Sequence, residues 1–186
     1  MTVLPEQFAR VLAAAVEGAD WAWSEVYHAY AGRLRGYLRS RGASEPDDLV
    51  GDVFLQIARN LSTFEGDESA FRSWIFMVAH HRLIDERRRA TRRPVDLIDE
   101  PVRLERPSKI DVAAEAVGNV ATDELYELLE TLTDDQRNVL VLRMVAGLSL
   151  DETATAIDKN LGAVTQLQRR GLAALRREIE RRGVTP

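Results

Sequence analysis

Apolar residues recur three or four positions apart through most of the chain, which is the spacing of helices that bury one face. No stretch alternates apolar and polar residues for long enough to predict a β-strand. Glycines at 18, 42 and 66 separate the first four helices. The pattern therefore predicts an all-α protein with helices over 5–17, 20–40, 46–60, 69–90, 111–131, 134–146, 149–157 and 161–182.

One stretch interrupts the helical pattern. Residues 94–110 are polar and acidic, contain three prolines and show no periodicity, which is typical of a linker. We therefore predict two small helical domains, 1–93 and 111–186, joined by a Pro-containing acidic linker.

The C-terminal helix pair carries the strongest local signal. Ser149 is a good N-cap, and Glu152 three residues later completes a capping box. A tight turn follows, and Asn160 is placed to cap the next helix. Small and apolar residues face inward on both helices, so the pair is predicted to be a helix-turn-helix. An ordinary helical hairpin has the same spacing and is the alternative.

In a helix-turn-helix, the second helix enters the major groove with its N-terminal half. If Val164, Leu167 and Gly171 pack inward, the polar residues between them face outward. Gln pairs with adenine and Arg with guanine, while cations at the helix ends bind phosphates. The predicted DNA-contacting residues are Lys159, Ala163, Thr165, Gln166, Arg169, Arg170 and Arg176.

Charge is unevenly distributed along the 186 residues, whose formal net charge is −5. Residues 82–93 hold six arginines and two acids, and residues 159–182 hold seven basic and two acidic residues. Between them, residues 94–135 hold twelve acids and three bases. Local charge attracts phosphates, so the two basic segments predict two separate nucleic-acid contacts. For one such segment alone, a solvated helix face would be the simpler interpretation.

The composition also excludes several classes of protein. There are no cysteines, so disulfides and thiolate zinc sites are ruled out. No apolar run approaches the roughly 20 residues of a membrane helix. The first ten residues lack the pattern of a signal peptide, and we expect a cytoplasmic protein.

Residues suited to catalysis do not form a constellation. The histidines are His28, His80 and His81, and the two adjacent ones point to different sides of a helix. No His-Glu-x-x-His spacing, phosphate-binding glycine loop or nucleophile elbow is present. We therefore expect no catalytic residues, no metal site and no cofactor.

Two C-terminal segments resemble region 4 of sigma-70-type factors: LTDDQRNVLVLRMVAGLSLDETA (132–154) and LGAVTQLQRRGL (161–172). The resemblance implies that the helix-turn-helix recognises the minus-35 promoter element. Two positions depart from the family pattern. Asp158 stands where the family usually has Gly, and Thr165 stands where a basic residue is common, which affects base preference.

The N-terminal half carries an independent match. DDLVGDVFLQIA (47–58) resembles region 2.2, the polymerase-binding helix, and FRSWIFMVAHHRLIDERRR (71–89) resembles regions 2.3 and 2.4, which meet the minus-10 element. A chain with only regions 2 and 4 is similar to the extracytoplasmic-function (ECF) group. The resemblance implies three partners: core RNA polymerase (the clamp helices of its largest subunit and its flap), promoter DNA, and an anti-sigma factor that holds the chain inactive.

Residues for these roles follow from the matched segments. Asp48, Asp52 and Gln56 share one helix face, which suits a basic partner. The predicted polymerase-binding residues are Asp47, Asp48, Asp52, Phe54 and Gln56. By resemblance, the loop over 64–69 holds a flipped base while the arginines follow phosphates. The predicted minus-10 residues are Phe64, Gly66, Trp74, His81, Arg82, Arg87, Arg88 and Arg89.

Two further questions stay open at this point. Phe71, Ile75 and Val78 fit an apolar core stripe, whereas Trp74 suits the core and a base platform equally well. An autonomous helix-turn-helix regulator with an N-terminal sensor or dimerisation domain also explains the C-terminal half. It does not explain the acidic helix, the aromatic helix and the arginine run in this order.

Overall fold

The computed structural model describes residues 5–92 and 127–183, and every regular element in these ranges is helical. The all-α prediction is confirmed, and the predicted helix ends in these ranges lie within two residues of the observed ones. The linker over 94–110 and most of the helix over 111–131 lie outside the described residues. The helices are α1 (Pro5–Val16), α2 (Asp20–Ser40), α3 (Pro46–Asn60), α4 (Glu68–Arg92), α5 (Asp134–Met144), α6 (Leu150–Ala156) and α7 (Leu161–Arg182).

Short segments complete these helices. A 3-10 turn, Leu61–Thr63, follows α3 directly, and a helical turn over 127–130 precedes α5. Helix α3 begins with Pro46 in its first turn, and Asp47 and Asp48 follow it, where acids suit the helix dipole. No side chain caps its N-terminus. The nearby Ser44 instead donates a hydrogen bond of 2.6 Å to Oε1 of Glu86 in α4.

Helix α4 joins the N-terminal helices through an aromatic cluster. Phe71 is fully buried, and its ring centroid lies 5.6 Å from Phe8 of α1 and 5.5 Å from Tyr30 of α2. Ile75 and Val78 are also buried, at 0% and 3% exposure. The core role predicted for this stripe is therefore confirmed.

The same helix packs extensively against α6, so the N-terminal unit (α1–α4) and the C-terminal unit (127–183) share one apolar core. Phe76 and Leu83 of α4 are buried to 1% exposure or less. At the neighbouring position of α2, a Cβ added to Gly36 would lie 2.9 Å from Cγ1 of Val145, which follows α5. Glycine therefore permits the close approach of the two units there.

Within the described parts of the chain, no helix combines the length and the apolar character that are needed to cross a membrane.

Gly51 offers a test of how α3 is stabilised. It is exposed, and an added Cβ would meet no atom within 4 Å. Because glycine in an exposed helix interior costs about 1 kcal/mol relative to alanine, Gly51→Ala should raise the free energy of unfolding by about that amount. Urea or thermal unfolding would measure it.

Gly36→Ala is the matched contrast, since the new methyl would press on Val145. We expect this variant to gain less than Gly51→Ala or to lose stability. A Gly51→Ala protein no more stable than the wild type would contradict the prediction.

Candidate nucleic-acid interface

A recess opens beside the loop that connects α3 to α4. Its volume is about 580 Å³. Polar side chains form most of its wall, and two aromatic residues complete it. The lining residues are Gln56, Asn60, Thr63, Phe64, Glu65 and Trp74.

The aromatic side of the recess is a stacked pair. The ring centroids of Phe64 and Trp74 are 5.1 Å apart and their planes differ by 15°. Phe64 is held in turn by an edge contact with buried Phe71, at 5.4 Å. Trp74 is half-buried and lines the recess, so it has both of the roles that the sequence left open.

The loop at the mouth of the recess depends on glycine. Gly66 has a φ of 149°, which residues with a side chain rarely adopt. An added Cβ would also lie 2.7 Å from Cβ of Ala70 and 3.2 Å from Cζ of Phe64. One residue on, Oδ1 of Asp67 accepts a hydrogen bond of 2.8 Å from the Ala70 amide and so satisfies a free donor at the start of α4. The loop is thus fixed against the aromatic pair.

An acidic patch surrounds the start of α3. Asp48 and Asp52 are exposed, and Asp47 pairs with Arg35 at 2.5 Å. The hydrogen bond between Glu45 and Asp48 raises the pKa of Glu45, and the charge of Asp48 adds to the effect. The carboxylates are therefore crowded, which favours a cationic partner.

The two other predicted polymerase-binding residues lie apart from this patch. Phe54 packs on Tyr27 of α2, with ring centroids 4.9 Å apart, and exposed Leu55 is its neighbour in sequence. Gln56 lines the recess, and its backbone carbonyl accepts a hydrogen bond from Asn60 at 2.8 Å. The structure therefore places Gln56 with the residues predicted for the minus-10 element.

The basic end of α4 is only partly free. His81, Arg88 and Arg89 are exposed, and Arg88 lies 4.0 Å from Asp85. Arg82 is half-buried, and its buried Nε has no hydrogen-bond partner among the described residues. Arg87 already donates to the Arg41 carbonyl and, at 3.1 Å, to Oδ2 of Asp134. The sequence gave no indication of the contacts of Arg87.

The helix-turn-helix forms as predicted. Ser149 and Glu152 make both bonds of the capping box, and the Glu152 amide lies 3.1 Å from the Ser149 hydroxyl. Asp158 adopts a φ of 51°, the left-handed conformation that the family's usual glycine would supply. Asn160 then accepts a hydrogen bond of 2.8 Å from the Ala163 amide and so caps α7.

Helix α7 buries one face and exposes the other. Val164 and Gly171 are buried, and Gly171 lies so close to Leu140 that an added Cβ would be 2.9 Å from its Cδ1. Gln166, Arg169 and Arg170 are exposed and have no side-chain partner among the described residues. The predicted base-contacting face is thus available.

The other predicted minus-35 residues are less free. Lys159 is half-buried and pairs with Asp135 at 3.2 Å. Ala163 is half-buried, whereas exposed Thr165 donates to the Leu161 carbonyl at 2.8 Å. Arg176 lies 3.6 Å from Glu180.

The last basic residues are partly neutralised. Arg181 and Arg182 both donate to Glu178, and these hydrogen bonds lower the pKa of Glu178 to about 2. The charge of the segment over 159–182 is therefore concentrated nearer the start of α7 than the residue count indicated.

Sequence analysis missed a polar network between the two units. The Tyr37 hydroxyl donates to Oδ1 of Asn138 at 2.9 Å and lies 3.0 Å from Nδ1 of His80. Burial raises the pKa of Tyr37. Burial, followed by the charge of Arg41 and smaller effects of His81 and Arg87, lowers the pKa of His80 to about 4. His80 is therefore neutral at physiological pH.

Two segments of the chain match family models. Residues 26–93 match sigma-70 region 2, and residues 128–177 match sigma-70 region 4.

Curated proteins extend this similarity to most of the chain. The ECF RNA polymerase sigma factor SigD of Mycobacterium tuberculosis is 32% identical over 189 residues, which covers 96% of this chain and 87% of the relative. The ECF RNA polymerase sigma factor SigX of Bacillus subtilis is 30% identical over 140 residues, covering 74% and 72%.

Solved structures show the same fold. The sigma factor RpoE of Bartonella quintana, determined with the anti-sigma factor NepR, superposes with a TM-score of 0.68 at 17% identity, covering 84% of this chain and 96% of its own. CnrH, determined with the cytosolic domain of CnrY, gives a TM-score of 0.66 at 23% identity, covering 93% and 97%.

The His80 network predicts a loss of stability in acid. The folded chain keeps His80 neutral down to about pH 4, whereas an unfolded histidine takes up a proton below its usual pKa of 6.5. Stability is therefore lost as the pH falls from 6.5 toward 4. Between pH 7 and pH 5, the wild type should lose on the order of 1 kcal/mol more than His80→Gln, measured by urea unfolding.

His81→Gln is the matched control, because His81 is exposed on the same helix. It should keep the wild-type pH dependence. If His80→Gln and the wild type lost stability equally, the burial of a neutral His80 would be disproved.

Proposed function

Because this chain belongs to the extracytoplasmic-function group of the sigma-70 family, we propose that it binds core RNA polymerase and directs it to promoters with distinct minus-35 and minus-10 elements. Members of this family are transcription initiation factors rather than enzymes. The observation that carries the finer proposal is the presence, in one chain, of an aromatic recess and an unpartnered groove-facing helix surface.

The recess suits a base that has left the DNA stack. Flipping a base costs a few kcal/mol, and stacking on an aromatic side chain returns about 1–3 kcal/mol. Trp74, supported by Phe64, would supply the stacking surface. The amides of Gln56 and Asn60 and the carboxylate of Glu65 offer hydrogen bonds to a base edge. We therefore assign Gln56 to the minus-10 site rather than to polymerase binding.

Basic residues would hold the duplex beside this recess. His81, Arg88 and Arg89 are exposed on α4, downstream of Trp74 in the sequence. Contacts with phosphates position DNA without selecting sequence, and they weaken as salt rises.

Helix α7 would recognise the minus-35 element. Gln166, Arg169 and Arg170 are the exposed residues with free donors and acceptors, and they follow the capped start of the helix. A bidentate pair with the correct base is worth about 1–3 kcal/mol of discrimination. Lys159 and Arg176 would contact phosphates after they leave their present acidic partners.

The polymerase-binding surface combines charge with apolar area. Asp48 and Asp52 give the acidic part, and the Tyr27–Phe54 pair with exposed Leu55 gives the apolar part. Protein interfaces of this kind have an apolar centre and a polar rim. The clamp helices of the largest polymerase subunit are the proposed partner, with the flap as partner of the C-terminal unit.

Two further assignments follow from the family. Both structures with this fold were determined with a bound protein, and NepR is described as an anti-sigma factor. We therefore include a cognate anti-sigma factor among the proposed partners. The proposed compartment is the cytoplasm, where polymerase and promoters are found.

Run-off transcription tests the proposal as a whole. Core polymerase, the purified chain and fragmented genomic DNA should yield discrete transcripts that neither protein gives alone. Their start sites would define the recognised sequences. A chain that ignored core polymerase but bound a palindromic operator by itself would instead be an autonomous regulator.

Trp74→Ala tests the recess. Loss of the stacking surface should reduce promoter opening at least tenfold, consistent with about 1–3 kcal/mol per stacked base. Permanganate reactivity of unpaired thymines would measure it. Trp74→Phe should retain part of the opening, and Trp21→Ala, which removes an exposed tryptophan from α2, should retain all of it. Normal opening by a folded Trp74→Ala protein would refute this role of the recess.

A further inference from the structure

One face of α4 contacts the C-terminal unit along most of the helix. Its residues are spaced three or four positions apart and so lie on one side. Two of them, Phe76 and Leu83, are fully buried, and the others are polar. This latch face consists of Ser69, Arg72, Phe76, His80, Leu83 and Arg87.

The first polar contact joins the start of α4 to the first helix of the helix-turn-helix. Oε1 of Glu152 accepts hydrogen bonds from the Ser69 hydroxyl at 2.7 Å and from Nε of Arg72 at 3.0 Å. The Arg72 and Glu152 side chains are only 18% and 8% exposed, so this ion pair is well shielded from solvent. Glu152 thus serves both the capping box of α6 and the contact between the units.

The last polar contact uses a predicted DNA-binding residue. Arg87 and Arg41 both reach Asp134 of the C-terminal unit, at 3.1 Å and 3.6 Å. The guanidinium of Arg87 is therefore occupied within the chain rather than free for phosphate. Arg41 is 4% exposed, and its Nε has no partner among the described residues, so this end of the contact is incompletely satisfied.

Chain length shows that this arrangement cannot serve both promoter elements together. Their positions, minus-35 and minus-10, differ by about 25 base pairs, or about 85 Å of straight duplex. Arg72 is two residues from Trp74 in the recess, and it touches Glu152. From Glu152 to Gln166 the chain reaches at most about 50 Å, even if fully extended. Two contacting side chains cannot supply the remaining distance of about 35 Å.

We infer that the described arrangement is a closed, self-inhibited form, in which the latch face holds the helix-turn-helix beside the minus-10 recess. The chain must separate along the α4–α6 contact before it engages both elements. The inference rests on the proposed function, because it assumes two separated DNA sites. Polar contacts at both ends of the latch face suit a reversible interface, since such interfaces are more polar than permanent ones.

A reversible covalent lock tests the inference directly. The chain has no cysteine, so a pair can be introduced without competition. Gly36 and Val145 suit this pair, because an added Cβ at Gly36 lies 2.9 Å from Cγ1 of Val145. This places the two Cβ atoms within range of a disulfide, and neither residue belongs to a proposed DNA site. Mild oxidation of Gly36→Cys/Val145→Cys should lock the units together, and dithiothreitol should release them.

The readout is run-off transcription by the oxidised and reduced forms, with the wild type treated identically. We expect the reduced variant to transcribe and the oxidised variant to lose at least tenfold. Equal transcription by both forms, with the disulfide verified by mass spectrometry, would overturn the inference and leave the proposed function intact. Absence of promoter-specific transcripts with the wild type would overturn the proposed function, and the inference with it.

A second variant weakens the latch without a crosslink. Glu152→Gln removes the charge that binds Arg72 but keeps a residue type that completes a capping box. We expect it to reach half-maximal transcription at an at least threefold lower concentration on limiting core polymerase. Ser149→Ala, which removes the cap and leaves the ion pair, is the control and should show no such gain. An unchanged or higher half-maximal concentration for a folded Glu152→Gln protein would count against a self-inhibitory latch.

Discussion

The burial of α4 on two sides is the constraint on which the rest of the structure depends. One side, with Phe71, Ile75 and Val78, packs into the N-terminal helices, and the other, with Phe76 and Leu83, faces the C-terminal unit. A helix that is apolar on two sides must lie between two layers. This position fixes what its ends can do: the aromatic recess forms at its start, and the arginine run emerges at its end.

The recess lies where several elements meet, which links the proposed activities physically. Gln56 lines it from α3, one helical turn after the exposed acid Asp52, and Trp74 lines it from α4, two residues after Arg72 of the latch face. A partner on the acidic side of α3 would therefore be close to the proposed site of base capture. Opening of the α4–α6 contact would take place equally close to it. Polymerase binding, opening and capture of a base thus involve adjacent residues.

Local pairing decides which charges are available for DNA. Arg87, Lys159, Arg181 and Arg182 all have acidic partners within the chain. Arg89, Arg169 and Arg170 are exposed and have none among the described residues. Two arginines with equal weight in a sequence count therefore differ in their availability to phosphate. The net charge of −5 is compatible with DNA binding because the free cations lie on the predicted DNA-facing surfaces.

The sequence by itself determined the local structure. Helix ends, the capping box at Ser149 and Glu152, and the left-handed turn at Asp158 depend on neighbouring residues, so periodicity and capping rules predicted them. Only the tertiary structure showed that Gln56 belongs to the recess, that Arg87 is bound to Asp134 and that Glu152 has a second partner in Arg72. These contacts join residues more than 40 positions apart or side chains from different helices. Helical spacing specifies the face on which a residue lies but not the element that packs against it.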